Sequence, residues 1–88
     1  MIDQVNFIAF IDSLFKTKCI QKQEFDSGYL MLDIFVNEKD MLVIQVEDVR
    51  IGISLIKDYL NYIDLSTISD CYFYSNDEAE KYLLGIKF

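Results

Sequence analysis

The stretch that decides the fold of this chain runs Leu30-Met31-Leu32-Asp33-Ile34-Phe35-Val36, then Asn37-Glu38-Lys39-Asp40, then Met41-Leu42-Val43-Ile44-Gln45-Val46-Glu47. In its first part Leu30, Leu32, Ile34 and Val36 recur at every second position, with Asp33 among the alternate residues. A period of two places one side of an extended chain in a core and the other outside it. The spacing therefore predicts a strand over 29–36. Leu42, Ile44 and Val46 repeat the pattern over 41–47, opposed by Gln45 and Glu47. Four polar residues between two such runs are a hairpin signal.

Working outward, Asp48-Val49-Arg50 makes a second turn, after which Ile51, Ile53 and Leu55 alternate with Gly52 and Ser54 in a strand over 51–55. Strands joined this tightly run antiparallel, because a parallel return needs a long crossover. Residues 58–69 have the mixed look of a long loop or of a short helical turn around Tyr59 and Tyr62. Cys71-Tyr72-Phe73-Tyr74 reads as a fourth, aromatic strand.

Helical patterns flank the strands. Phe7, Ile8, Ile11, Leu14 and Phe15 share one face of a helix expected over 3–18, with Phe10 on its flank and Asp3 as N-cap. Lys16 and Lys18 suit the negative end of its dipole. Ser75-Asn76-Asp77-Glu78 matches a capping box. Ala79, Tyr82, Leu83 and Ile86 then follow at helical spacing, giving a second helix over 76–86. The expected order is α-β-β-β-β-α: an α+β two-layer sandwich, with both helices on one face of a four-stranded antiparallel sheet. Phe7, Ile11, Leu14, Leu83 and Ile86 should pack on the even-numbered face. The opposite face would present Tyr29, Met31, Phe35, Met41 and Val43, to be covered by the 58–69 segment or by another protein.

The composition is that of one globular domain, residues 1–88. Apolar residues make up 52% of the chain, too many for a disordered acidic segment, and the longest apolar run, Met41 to Ile44, is far below a membrane span. The opening residues lack the basic flank of a secretory signal, and a cytoplasmic protein is expected. Cys19, at the end of the first helix, and Cys71, in the last strand, read as two small thiols in a reducing compartment, with a bridge between them geometrically open.

Chemistry-bearing patterns are sparse. The chain has no histidine, the usual general base and metal ligand near neutral pH. Its serines sit in no G-x-S-x-G turn, and its glycines do not form a phosphate loop. Glu47 and Asp48 are adjacent on an extended chain and point apart, while Asp77 and Glu78 fall where a helix dipole favours acids. The residues therefore point away from an enzyme and call for no cofactor or metal.

Charge is the positive signal. Fifteen acids face eight bases, a net charge of −7. Between Asp58 and Glu80 lie Asp58, Asp64, Asp70, Asp77, Glu78 and Glu80 without a base, interleaved with Tyr59, Tyr62, Tyr72 and Tyr74. Tyrosine supplies contact area with a polar edge, and acids around it steer a cationic partner. The same residues also make sense as a solvated loop over core tyrosines. The functional expectation is a small acidic binder that neutralises a basic protein. By analogy of charge and size, an immunity protein against a nuclease-type toxin or a phage-encoded inhibitor fits. Seven lysines to one arginine suit an AT-rich bacterial or phage gene. Direct nucleic-acid or anionic-membrane binding is disfavoured by charge. The rival expectation is a structural or regulatory module that dimerises through the apolar sheet face.

Overall fold

The computed structural model describes residues 1–58 and 70–86. The elements run α1 (Gln4–Leu14), β1 (Cys19–Glu24), β2 (Leu30–Phe35), β3 (Met41–Val46), β4 (Ile51–Ile56), β5 (Cys71–Phe73) and α2 (Asn76–Gly85). All five strands form one antiparallel meander, ordered β1-β2-β3-β4-β5. The α+β layout is the expected one, with five strands in place of four.

The additional strand is β1, and it displaces the end of the first helix. α1 stops at Leu14, where a turn donating the Lys18 amide to the Phe15 carbonyl at 2.9 Å redirects the chain. Lys16, Lys18 and Cys19, expected on the helix or at its end, lie beyond it. Cys19-Ile20-Gln21-Lys22-Gln23-Glu24 is an edge strand in which only Ile20 is half-buried. With polar residues on both faces it shows no alternation. A polar edge carrying Lys22 and Glu24 also discourages pairing with stray strands. Its turn into β2 uses Gly28 at φ +87°, a left-handed conformation that glycine adopts without strain.

Register explains the two faces. Leu32 pairs with Ile44, Ile44 with Ile53, and Ile53 with Cys71; one step along, Leu30, Val46, Ile51 and Phe73 align. These rows carry the core. Leu32, Ile34, Leu42, Ile44, Val46, Ile51 and Ile53 are buried against Phe7, Ile11 and Phe15 of the N-terminal segment and Ala79 and Leu83 of α2. Each such side chain contributes about 1.5–3 kcal/mol on burial. Leu14 departs from expectation: it is exposed, because Phe15 already turns into the core beside it. Ile86 packs on the core only partly, just past the end of α2.

The opposite face carries Phe35, Met41 and Ile56 in one row, Asp33, Val43 and Ser54 in the next, and Met31, Gln45, Gly52 and Tyr72 in a third. Met41 is buried, while Tyr29, Met31, Phe35 and Val43 are half-buried. The expected loop over 58–69 lies, apart from Asp58, outside the described residues. A disulfide is ruled out by the sheet. Cys19 and Cys71 sit on its two edge strands, four spacings or about 19 Å apart, and both are thiols. No helix among the described residues is long and apolar enough to cross a membrane.

Candidate functional site: an acidic pole with an exposed tyrosine

Three long-range contacts gather one end of the molecule. The Ile2 amide donates to the Asp48 carbonyl at 2.7 Å, tying the N-terminus to the β3–β4 turn. The Asp3 amide donates to Asn76 Oδ1 at 3.0 Å, and Asn76 Nδ2 returns a bond to the Asp3 carbonyl at 2.9 Å. The N-terminal ends of α1 and α2 are thereby held side by side. Each end is built by a local cap. The Asp3 carboxylate accepts from the Asn6 amide at 3.1 Å, and Ser75 Oγ accepts from the Glu78 amide at 3.2 Å. Glu78 turns its carboxylate to the Ser75 hydroxyl at 3.4 Å rather than to the serine amide, so the capping box closes side chain to side chain.

This arrangement collects Asp3, Asp48, Asp77 and Glu78, all exposed, at one pole. Tyr74, two residues before Asn76, is 62% exposed beside them. Two adjacent helix N-termini present partial positive charge, which the acids offset.

Arg50 brings a base to this pole, and Glu47 holds it. Glu47 is buried, and the guanidinium Nε donates to both its carboxylate oxygens at 3.2 and 3.1 Å. The guanidinium carbon stands 4.1 Å from the centre of the Tyr72 ring, a cation–π geometry. Tyr72 can lean there because it pairs across from Gly52, which puts no side chain in the way. The Tyr74 phenol, two residues on from Tyr72, also favours the charged guanidinium. Glu47 first, then the neighbouring phenols, hold the Arg50 pKa above its ordinary value.

The remaining residues singled out from the sequence fall elsewhere or lie undescribed. Glu80 is half-buried on α2, one turn past Asp77. Asp70 directs its amide to Ser54 Oγ at 2.9 Å on the face away from the helices. Asp58, in a left-handed conformation at φ 54°, donates its amide to Asp40 Oδ1 at 3.2 Å. It lies just past the far end of β4, a strand whose five steps span about 17 Å from the Ile51 end where Tyr74 emerges. Tyr59, Tyr62 and Asp64 are outside the described residues. The structure thus brings Tyr72, Tyr74, Asp77 and Glu78 towards one end and leaves Asp58 at the other. Asp3, Asp48 and Arg50 join the first group through contacts that have no local sequence signal.

Two other features lie apart from this pole. Asp33, on the sheet face away from the helices, is half-buried between the Met31 and Phe35 positions; its carboxylate makes no hydrogen bond among the described residues, and burial pushes its pKa above the usual range. An open cleft of about 280 Å³, lined by Gln4, Val5, Ile8 and Leu30, contains no titratable group. Among the described residues no three cysteine or carboxylate side chains are grouped as a metal site would require. No protein-family model, curated protein or solved structure matches this chain.

Proposed function

We propose that this chain is a small acidic binding protein that occupies and neutralises a basic protein, acting in the cytoplasm as an immunity protein or a phage-encoded inhibitor would. The observation that carries the reading is the gathering of Asp3, Asp48, Asp77 and Glu78 at the end of the molecule where Tyr74 is exposed. An exposed tyrosine on an acidic end of the molecule combines an anchor with electrostatic steering. The pole is also pre-formed. Reciprocal hydrogen bonds and two caps fix its backbone before any partner arrives, which lowers the ordering cost of association. No step of chemistry is assigned to these residues.

Dimerisation through the sheet face away from the helices is the second reading, and Asp33 weighs against it. A two-fold pairing over that face would take two carboxylates without a hydrogen-bond partner among the described residues out of water together, and an uncompensated buried charge is costly.

The test is affinity capture with the whole chain as bait, against the variant Asp48→Lys/Asp77→Lys/Tyr74→Ser, with the fold of each checked by circular dichroism. The reading expects a protein of high isoelectric point to be retained stoichiometrically by the wild type and lost from the variant. Equal recovery on both baits, or recovery of acidic proteins only, contradicts it.

A further inference from the structure

Arg50 is the single arginine of the chain, and its guanidinium is fixed on several sides. Glu47 engages the Nε edge, Tyr72 covers a face, and the Tyr74 phenol favours the charged form. A guanidinium has five N–H donors. Among the described residues the hydrogen bonds to Glu47 use only Nε, which leaves the four donors on the terminal nitrogens for whatever approaches from solvent, where the side chain is 39% exposed. The rotamer is already set, so a ligand there need not order a long flexible side chain. Lys22, by contrast, meets Asp12 as a point charge between two exposed side chains.

A planar fork of this kind matches a carboxylate or a phosphate. The surroundings discriminate between them. Asp48 lies two residues away in the same turn, and Asp77 belongs to the same pole; both repel dianions and polyanionic chains more strongly than a single negative charge. We propose that the outer edge of Arg50, on its Tyr72 and Tyr74 platform, receives one carboxylate of the docking partner. The proposal rests on the binding-protein reading and adds a contact of opposite sign within it. It makes the pole selective. A uniformly basic surface would leave Arg50 desolvated and facing like charge, whereas a basic surface with one acid in register would not.

Small probes test the site without the partner, so failure here is distinct from failure of the binding-protein reading. The signals of the Arg50 Nε–H and of the Tyr74 ring are followed by NMR in the full chain. Three probes are added: a blocked tripeptide with a central glutamate, a tripeptide with a free C-terminus and no acidic side chain, and inorganic phosphate. The proposal expects a saturable shift with one or both carboxylate probes, and weakening by about tenfold in Arg50→Lys, which retains charge but loses the fork. The stronger of the two peptides tells whether a side chain or a chain terminus is the natural source. Non-saturating shifts, equal response in Arg50→Lys, or tighter binding of phosphate than of either peptide would overturn it. Because the wild-type Arg50 signal is itself the readout, instability of the variant does not remove the test.

Discussion

Asp3 and Asn76, 73 residues apart, exchange two hydrogen bonds through one side-chain amide: Asn76 Oδ1 accepts the Asp3 amide and Asn76 Nδ2 donates to the Asp3 carbonyl. The amide acts here as a piece of backbone, joining the first turn of one terminal helix to the N-cap of the other. Asn76→Ala breaks both bonds and should cost about 1–3 kcal/mol, measured by urea unfolding with an unchanged m-value. Asn76→Asp keeps the acceptor but not the donor, and should fall between the two. A silent Asn76→Ala would mean the pole is held by the core alone.

Helix α2 supplies a contrast between neighbours. Leu83 is buried in the core and Leu84 is 64% exposed. Leu83→Ala should therefore lose about 2–5 kcal/mol, and Leu84→Ala less than about 0.5 kcal/mol. Thermal melts of the two proteins provide the check.

How much of this was legible in the sequence depends on distance along the chain. The β2–β3 hairpin, both caps and the α2 stripe could be read locally, because their period or spacing lies within a few residues. β1 could not. An edge strand with one half-buried residue in six carries no hydrophobic period, and the signal that could have found it was the turn chemistry of Asp26-Ser27-Gly28 ahead of Tyr29. The site was legible only in part. Tyr74, Asp77 and Glu78 stood out as a C-terminal acidic and aromatic segment. Asp3 and Asp48 reach them through the Asn76 and Ile2 contacts, and Arg50 reaches Tyr72 through strand register; none of these leaves a local pattern.

Asp33 should be a liability to the isolated protein. Burial raises its native pKa above the ordinary 3.8, so the native state binds its proton more tightly than the unfolded chain does. Its ionisation destabilises the fold fully above the raised native value, and the penalty fades as pH falls towards 3.8. Asp33→Asn should raise the midpoint of thermal unfolding at pH 7 and give no gain near pH 3. A lower midpoint at pH 7 would show that the carboxylate is stabilising.

Asp40 behaves in the opposite sense. Its carboxylate accepts from Asn37 Nδ2 at 2.9 Å, from the Asp58 amide at 3.2 Å and from Lys57 Nζ at 3.3 Å. Led by the Asn37 bond, these contacts hold its pKa below the ordinary value. The stabilisation is present above pH 3.8 and is lost as pH falls through the lower native value. NMR titration should place Asp40 below the usual carboxylate range, and Asp40→Asn should flatten the acid limb of the stability profile.

Docking of a basic protein depends most directly on the charge of the acidic pole. With the basic protein recovered by capture, the decisive measurement is its association rate with the wild type and with Asp48→Lys/Asp77→Lys, at low and at physiological ionic strength. The pole requires a fast rate at low salt that drops as salt screens the charges, and a slow, nearly salt-independent rate for the variant. Equal rates for the two proteins at both ionic strengths would contradict it.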